Sequence, residues 1–310
     1  MLRNLVLLVF SAILVACAEV KEVTADQLVE RDGITYEKLS SEPFTGRVTG
    51  DLKTGSYNNG LKSGLWEIYF DTGELMSRGE YVSGKQDGAW QDYYESGQLS
   101  WRRQYVMGEL NGPSETYYPD GQVIASWEYV EGETDGVSES YYPNGQLSHR
   151  AEYVYGVKHG PWEEYYENGQ LSYRNQYVDG ERNGIWEKYY EDGQLSYRDE
   201  YVEDERNGLF EAYYENGQLR WRWEFIAGEE TGIWEDYYET GQLWWRREYV
   251  AGIEHGVWED YYMTGQLKTS GRYLEGILHG VWDYYSADGA LELREVWEDG
   301  ELVSSTGKDD

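Results

Sequence analysis

Two series of glycines with a fixed spacing of 24 residues constrain this chain more than any other feature of its sequence. One series runs from Gly73 to Gly289 and the other from Gly64 to Gly280, and neither contains an insertion or a deletion. Loops tolerate changes of length, whereas stacked units held in register do not. The sequence therefore predicts a tandem array of ten structural units over residues 64–303.

Each unit carries the signals of a β-hairpin. In one of them Asn168-Gly169 lies between two runs rich in Tyr, Trp and Val, which is the strongest short-range hairpin signal. We expect a two-residue type I′ turn there, with Tyr166 opposite Leu171 and Glu163 opposite Arg174. A helix is excluded, because the glycine and Asn-Gly steps would interrupt it in every unit.

Side chains alternate between the two faces of a strand, so this register divides each unit into two faces. Trp162, Tyr173 and Tyr177 share one face, and Glu163 and Arg174 share the other. We predict an all-β fold: an elongated, twisted single-layer antiparallel sheet of tandem β-hairpin repeats with a 24-residue period. Composition agrees, because 32 Tyr, 14 Trp and 37 Gly with only 5 Pro favour strands and tight turns and argue against disorder.

The same register predicts oppositely charged residues at one cross-strand position in most units. The predicted pairs are Glu139–Arg150, Glu163–Arg174, Glu187–Arg198, Glu211–Arg222, Glu235–Arg246 and Asp283–Arg294. The departures from this rule are Gln91–Arg102, Glu115–Ser126 and Glu259–Ser270, none of which places like charges opposite each other. Each pair contributes only about 0.2–1 kcal/mol, so we expect these pairs to fix the register rather than the bulk stability.

A targeting segment precedes the array. Arg3 is followed by a mostly apolar stretch from Asn4 to Val15, and Cys17, the only cysteine, comes next after Ala16. The stretch is too short to span a bilayer and has the proportions of a signal-peptide core. Leu-Val-Ala-Cys resembles the lipobox of bacterial lipoproteins, which implies cleavage before the cysteine, its lipidation and anchoring in the cell envelope, at the outer membrane in an organism that has one. An ordinary signal peptide with an incidental cysteine is the alternative.

Five segments follow from these observations. They are a lipoprotein signal peptide (1–16), a tether and lead-in (17–42), a degenerate N-terminal repeat that caps the array (43–63), ten tandem repeats (64–303) and a C-terminal tail (304–310).

The segment Tyr177–Gly184, followed by Trp186 and Tyr189-Tyr190, resembles MORN repeats, which are β-hairpin units with a Tyr-x-x-Gly…Gly signature. The core Tyr-Tyr-Glu-Asn-Gly-Gln-Leu, residues 165–171, is closer to the bacterial variant often labelled a YwqK-type toxin–antitoxin antitoxin. The resemblance extends over residues 28–303 and includes a lead-in at residues 31–34 and 42–46. It implies binding units: the antitoxin label implies a partner protein, and phospholipid binding has been proposed for eukaryotic relatives.

The charge balance restricts the partners. The formal net charge is −33, so the chain repels phosphate backbones and anionic headgroups, which argues against nucleic acid and against membrane contact other than through the N-terminal lipid. Cationic partners or metal ions are compatible with this charge. The acidic side chains also serve to keep an aromatic-rich sheet soluble.

The sequence contains no catalytic constellation and no cofactor motif. His159, His255 and His279 each precede a glycine of the second series, where we predict a turn position tolerant of left-handed geometry rather than a metal ligand. His149 takes a position on the aromatic face with no second histidine predicted beside it, so zinc is not expected. The acidic rows leave a glycosidase as a remote alternative, although an active site is usually a single place. We predict a non-enzymatic protein without metal or cofactor.

Five tryptophans in two adjacent units are the candidate binding residues: Trp221, Trp223, Trp234, Trp244 and Trp245. Exposed rings would stack on sugars or grip a peptide, whereas the alternative is that the rings pack on one another within the sheet. Trp223 and Trp244 depart from the residue types of their positions, and Trp244 falls on the charged face.

Two functions of different classes follow. The first is an envelope-anchored scaffold that binds a partner protein, of which an antitoxin-like neutraliser is a narrower form. The second is glycan binding at a cell wall or host surface, because Trp-x-x-Tyr-Tyr-x-x-x-Gly loosely resembles choline- and glucan-binding hairpin repeats.

Overall fold

The computed structural model describes residues 20–50 and 52–307. Its regular elements are β-strands and one 3-10 helix, Ala25–Gln27. In chain order the strands are β1 (Glu22–Val23), β2 (Leu28–Arg31), β3 (Ile34–Glu37), β4 (Gly46–Val48), β5 (Lys53–Asn58), β6 (Leu61–Tyr69), β7 (Leu75–Val82), β8 (Lys85–Tyr93), β9 (Leu99–Val106), β10 (Glu109–Tyr117), β11 (Val123–Val130), β12 (Glu133–Thr134), β13 (Gly136–Tyr141), β14 (Leu147–Val154), β15 (Val157–Tyr165), β16 (Leu171–Val178), β17 (Glu181–Arg182), β18 (Gly184–Tyr189), β19 (Leu195–Val202), β20 (Glu205–Arg206), β21 (Gly208–Tyr213), β22 (Leu219–Ile226), β23 (Glu229–Tyr237), β24 (Leu243–Val250), β25 (Ile253–Tyr261), β26 (Leu267–Leu274), β27 (Ile277–Tyr285), β28 (Leu291–Glu298) and β29 (Glu301–Gly307).

Twenty-seven of these strands belong to one sheet, and β2 pairs with β3 in a separate two-stranded sheet. Consecutive strands pair antiparallel as tandem hairpins, whereas β1 and β4 pair parallel. The prediction of an all-β antiparallel sheet of tandem hairpins is confirmed. The chain divides into two compact units: one comprises the described residues up to Gly97 with Tyr105–Gly108, and the other Gln98–Gln104 with the described residues from Glu109.

In the first unit, part of the segment predicted as a tether is folded. β2 and β3 form a hairpin whose turn residues Asp32 and Gly33 both have positive φ, at 50° and 76°. β1 pairs with β4, and Phe44 and Val48, at 3% and 0% exposed, lie in the core of this unit. Residues 22–37 of the predicted tether and lead-in therefore contain three strands, two paired with each other and one with β4 of the predicted cap. Residues 1–19, with the predicted signal peptide and Cys17, lie outside the described residues.

In the second unit, the register of each hairpin can be read from β15 and β16. Gly160 lies opposite Tyr177 and Glu163 opposite Arg174, as predicted. The register then shifts by one residue between Glu164 and Tyr165. We call the side of the sheet that carries Trp162, Tyr173 and their equivalents the ring face, and the side that carries Glu163, Arg174 and their equivalents the charge face.

The predicted type I′ turn at Asn168-Gly169 is wrong. The N–H of Gly169 donates to the carbonyl of Tyr166, and the N–H of Tyr166 donates to the carbonyl of Gln170, both at 2.8 Å. These bonds close a three-residue loop in which only Gly169 has a positive φ, 84°, which is the type I turn with a glycine bulge. Asn168 acts through its side chain instead, because Oδ1 accepts the N–H of Gln170 at 2.9 Å.

The two-residue type I′ turns lie at the other end of each hairpin. Asp179 and Gly180 have φ of 52° and 87°, and the residues on either side of them pair directly. One unit has Asp204 at the glycine position, with a φ of 67°. Its carboxylate accepts the N–H and Nε of Arg182 at 3.0 and 2.8 Å, which stabilises a backbone conformation that favours glycine.

His159, His255 and His279 lie within β15, β25 and β27, so the turn predicted for the histidines is wrong. His159 belongs to β15, and its Nδ1 accepts the N–H of Asp179 at 3.5 Å. Asp135 makes the same contact one unit earlier, with its Oδ2 3.1 Å from the N–H of Tyr155. These side chains satisfy a backbone donor of the following type I′ turn, and this need for a polar acceptor explains why Asp, Asn and His share the position.

The ring face forms the core of the repeats by pairing a large residue with a small one. Trp282 is 4% exposed and covers the bare backbone of Gly271, where an added Cβ would lie 2.1 Å from the indole. Trp162 lies opposite Asn175 and next to Ala151 in the same way. A glycine or small residue at this position lets the next tryptophan approach the sheet, and we call it the core position.

Tyrosines and asparagines near the three-residue loops bind each hairpin to the next. The hydroxyls of Tyr142, Tyr166 and Tyr190 donate to the carbonyls of Tyr165, Tyr189 and Tyr213, each at 2.7 Å. These bonds always join residues 23 positions apart. They form a tyrosine ladder that fixes the spacing between hairpins.

The last strand extends beyond residue 303, the predicted end of the repeats. β29 continues to Gly307 and pairs with β28, with Leu293 opposite Gly307. Residues 304–307 therefore extend the sheet, because the β-prone Ser-Ser-Thr sequence has an open strand beside it to pair with. Residues 308–310 lie outside the described residues.

Candidate functional site

The charge face carries a continuous row of alternating charges, which we call the charge ladder. Within the hairpin of β15 and β16, Glu163 lies opposite Arg174. Between hairpins, Glu163 also lies opposite Arg150 of β14, and Arg174 lies opposite Glu187 of β18. The ladder is formed by Glu139, Arg150, Glu163, Arg174, Glu187, Arg198, Glu211, Arg222, Glu235 and Arg246. The sequence predicted the pairs within hairpins but not those between hairpins, which give every residue of the row from Arg150 to Arg246 two oppositely charged neighbours. Glu139 has Arg150 on one side and Ser126 on the other.

Distances along the ladder show arginines that bridge two glutamates. Arg174 lies 3.4 Å from Glu163 and 3.8 Å from Glu187, measured between side-chain nitrogen and carboxylate oxygen. Arg246 lies 2.8 Å from Glu235 and 3.7 Å from the next carboxylate, that of Glu259. The arginines are 39–49% exposed in these pairs, so the ladder is a solvent-facing surface that salt screens.

Tyrosines border the ladder and donate to its carboxylates. The hydroxyl of Tyr141 donates to Glu139 and that of Tyr237 to Glu235, both at 2.7 Å. The hydrogen bond to Glu139 and partial burial raise the pKa of Tyr141 to about 12, and burial followed by the bond to Glu235 does the same for Tyr237. Ionisation of either hydroxyl would place two anions side by side, so both stay protonated donors at neutral pH.

Beside the ladder, toward the type I′ turns, the charge face exposes a row of aliphatic side chains. Strand alternation places them on this face, next to glutamates such as Glu200 and Glu224. We call this row the aliphatic strip; its members in the second unit are 37–60% exposed and comprise Val137, Val154, Val178, Ile185, Val202, Leu209, Ile226, Ile233, Val250, Leu274 and Val281. The alternation of these residues with charged ones is visible in the sequence, but the sequence analysis predicted no site there.

Three of the five candidate tryptophans stack on one another. The rings of Trp223 and Trp234 stack at 4.8 Å with an interplanar angle of 8°, and Trp221 stacks on Trp223 at 5.4 Å and 19°. The guanidinium of Arg220 covers Trp221 at 4.3 Å from its centroid. Trp234 is 8% exposed. Trp223 takes the core position, so the three rings pack within the sheet and leave little surface for a ligand.

The other two tryptophans are not part of this stack, although Trp245 shares the partner Asp236 with Trp223. Trp245 is on the ring face beside Asp236, a carboxyl whose pKa is raised because it is half-buried, although its bonds to Trp223 and Trp245 oppose the shift. Trp244 is 48% exposed, and its ring lies 5.7 Å from that of Tyr238 at an angle of 35°. The structure therefore does not bring the five residues together into one site.

The repeat described here is matched by a protein-family model described as "MORN repeat variant". The matched segments are 62–83, 86–105, 110–131, 134–155, 158–179, 182–203, 206–220 and 230–250, which together make up more than half of the chain. The chain belongs to the MORN repeat family.

Other comparisons add little. No curated protein matches the chain. Among solved structures it is similar to one titled "Crystal Structure of TcdB2-TccC3", with 12% sequence identity and a TM-score of 0.20. The match covers 83% of this chain and 18% of that chain.

MORN repeats are generally units of protein or membrane interaction, and the family is typically non-catalytic. Within residues 20–50 and 52–307, no group of three or more His, Cys, Asp or Glu side chains is placed to hold a metal ion. The described part of the chain also has no helix with the length and apolar character needed to cross a membrane. His149 packs edge-on against Trp162 at 4.3 Å, and burial lowers its pKa.

Proposed function

We propose that this MORN repeat protein is a non-enzymatic scaffold of the cell envelope that binds a partner protein through its charge face. The observation that carries the proposal is the aliphatic strip. Soluble proteins rarely leave rows of large apolar side chains exposed unless they form an interaction surface. Here the strip recurs in unit after unit and is bordered by charged side chains, which is the arrangement of an apolar interface core with a polar rim.

The location of the scaffold rests on the sequence alone. The lipobox-like segment that ends at Cys17 supports a lipid anchor in the envelope, at the outer membrane in an organism that has one. An antitoxin of the YwqK type would act through the same kind of contact, by neutralising the protein that it binds. Inhibition of the partner is therefore a narrower form of this proposal.

Affinity capture from envelope extracts tests the partner-binding function. We expect the chain without residues 1–16 to recover a specific protein, and the double variant Ile185→Asp, Ile233→Asp to recover about tenfold less of it or lower, because two charges interrupt the strip. Met263→Asp is the matched control, since Met263 is 61% exposed but lies outside the strip. Equal recovery by the double variant and the control would refute the strip as the interface.

In whole cells, Cys17→Ser should release the protein from the membrane fraction.

Glycan binding is the second candidate, and the exposed pair Trp244 and Tyr238 favours it. An indole with one open face beside a phenol is a surface on which a sugar ring can stack. Titration of tryptophan fluorescence with cell-wall fragments tests it. A saturable change that Trp244→Ala removes would support this candidate, and a flat response would exclude it.

A further inference from the structure

The charge ladder is interrupted at Ser126. This serine lies directly opposite Glu115 in its own hairpin and opposite Glu139 in the next one. Arg174 has the same place between Glu163 and Glu187. Ser126 therefore has a glutamate on each side, Glu115 and Glu139, and the arginine between them is missing.

A cavity of about 620 Å³ lies at this interruption. Glu115, Ser126 and Tyr141 line it, and residues in and next to the three-residue loops of two consecutive hairpins complete its wall, namely Gly121–Val123 and Asn144-Gly145. We call it the serine notch. It is an opening on the charge face, the same face that carries the aliphatic strip.

Glu115 lines the notch, and Glu139 lies beside it, opposite Ser126 and bonded to the lining Tyr141. Both carboxylates are more accessible than those of Glu163 and Glu187. The side chains of Glu115 and Glu139 are 23% and 29% exposed, whereas those of Glu163 and Glu187 are both 18% exposed. Each still has an arginine on its other side: Arg102 pairs with Glu115, and Arg150 lies 3.9 Å from Glu139. What each has lost is the second cation, on the side of the notch.

We propose that the serine notch binds the guanidinium group of an arginine that a partner protein presents. The proposal rests on the proposed function and names the chemistry of the partner. The chain itself supplies the template, because Arg174 shows how a guanidinium spans two glutamates on opposite strands. A guanidinium donates five N–H bonds in a planar fork and stays charged, so it fits two carboxylates better than the point charge of a lysine.

A second interruption of the ladder, at Ser270, shows what the notch requires. Ser270 lies between Glu259 and Asp283. Asp283 is shorter and accepts two bonds from Arg294, at 2.7 and 2.8 Å, and its side chain is only 13% exposed. This place therefore offers one accessible carboxylate where the serine notch offers two, and we assign the binding site to Ser126.

The test is an NMR titration of the chain without residues 1–16, with N-acetylarginine methylamide as the probe. We expect saturable shifts of the amides of Ser126 and Tyr141, and none with the citrulline analogue, which has the same shape without the charge. Ser126→Arg should weaken binding at least about tenfold, because the chain then fills the notch with its own guanidinium. Ser172→Arg is the matched control, since the same substitution on the same face lies outside the ladder.

A gain-of-function variant sharpens the test. Arg174→Ser should create a second notch between Glu163 and Glu187 and raise the binding stoichiometry. Equal shifts with arginine and citrulline, or full binding by Ser126→Arg with an unchanged fold, would overturn the proposal. The capture experiment separates the two proposals. If the strip variant loses the partner and Ser126→Arg keeps it, the notch is rejected and the scaffold function is still supported.

Discussion

The two faces of the sheet are made from the same strands but differ in how much the residue type varies at equivalent positions of the repeat. On the charge face the ladder keeps Glu and Arg in nearly every unit, yet Arg174 is 49% exposed. On the ring face the core position accepts Gly271, Ala151, Asn175 and Trp223, although the surrounding rings are buried. The more regular face is therefore not the one that contributes more to stability. Regularity on the charge face fixes strand register, whereas the ring face requires only that neighbouring volumes compensate.

Volume compensation is visible across neighbouring units. Gly271 faces the large Trp282, and Trp127 lies opposite the small Ser114. Where both residues are large, as at Trp223 and Trp234, the rings adopt parallel stacking. Close packing is therefore maintained by pairs of positions whose volumes compensate. Each position alone varies in size from unit to unit.

The largest effect is expected from removal of a ring-face side chain. Trp282→Ala should lower the free energy of unfolding by about 3–5 kcal/mol, because it deletes a buried indole above a bare glycine backbone. Repeat arrays unfold unit by unit, so hydrogen exchange of the amides in β26 and β27 is the appropriate measurement. An effect no larger than that of a ladder substitution would mean that the ring face is not the core.

A smaller effect is expected from adding one carbon to the same pair. Gly271→Ala should cost about 1–3 kcal/mol, since the new Cβ would lie 2.1 Å from the Trp282 ring and the indole must move. The control is Ala151→Gly, in a unit that already accommodates the methyl group; we expect no more than about 1 kcal/mol there. Urea unfolding followed by tryptophan fluorescence compares the two, and equal effects would contradict the steric explanation.

The smallest effect is expected on the charge face. Arg174→Ala should cost about 0.2–1 kcal/mol, because its two ion pairs are exposed to solvent. Added salt should reduce the difference between this variant and the parent, since exposed pairs are screened at high ionic strength. Urea unfolding of the variant and the parent at low and high salt measures this difference. A cost that salt leaves unchanged would show that Arg174 acts through packing instead.

The parts of the fold that could be predicted are those for which the sequence pattern is compatible with only one local structure. The 24-residue period and the opposition of Glu163 to Arg174 were sufficient for strand, hairpin and register. The turns did not follow, because each unit contains two turn sequences of similar strength, such as Asn168-Gly169 and Asp179-Gly180. Only the backbone hydrogen bonds determine which becomes the two-residue turn, and they depend on the twist and bulges of the whole sheet.

The candidate site was only partly predictable for a related reason. Composition drew attention to the tryptophans, but stacking between Trp223 and Trp234 takes up their ring surface, and spacing alone does not show this. The serine notch was present in the sequence as the departure Glu115–Ser126. Its meaning depends on Glu139 in the next hairpin, a neighbour that appears only when the contacts between hairpins are known.

The tyrosine ladder has a consequence for how such a protein can change its length. Each rung joins a hydroxyl to a carbonyl 23 residues later, as from Tyr142 to Tyr165. An inserted or deleted residue inside one unit would displace the acceptor from its donor and break a rung. Loss or duplication of a whole 24-residue unit leaves every remaining rung intact. Homologous chains should therefore differ in length by whole 24-residue units. The number of units would then set the length of the sheet.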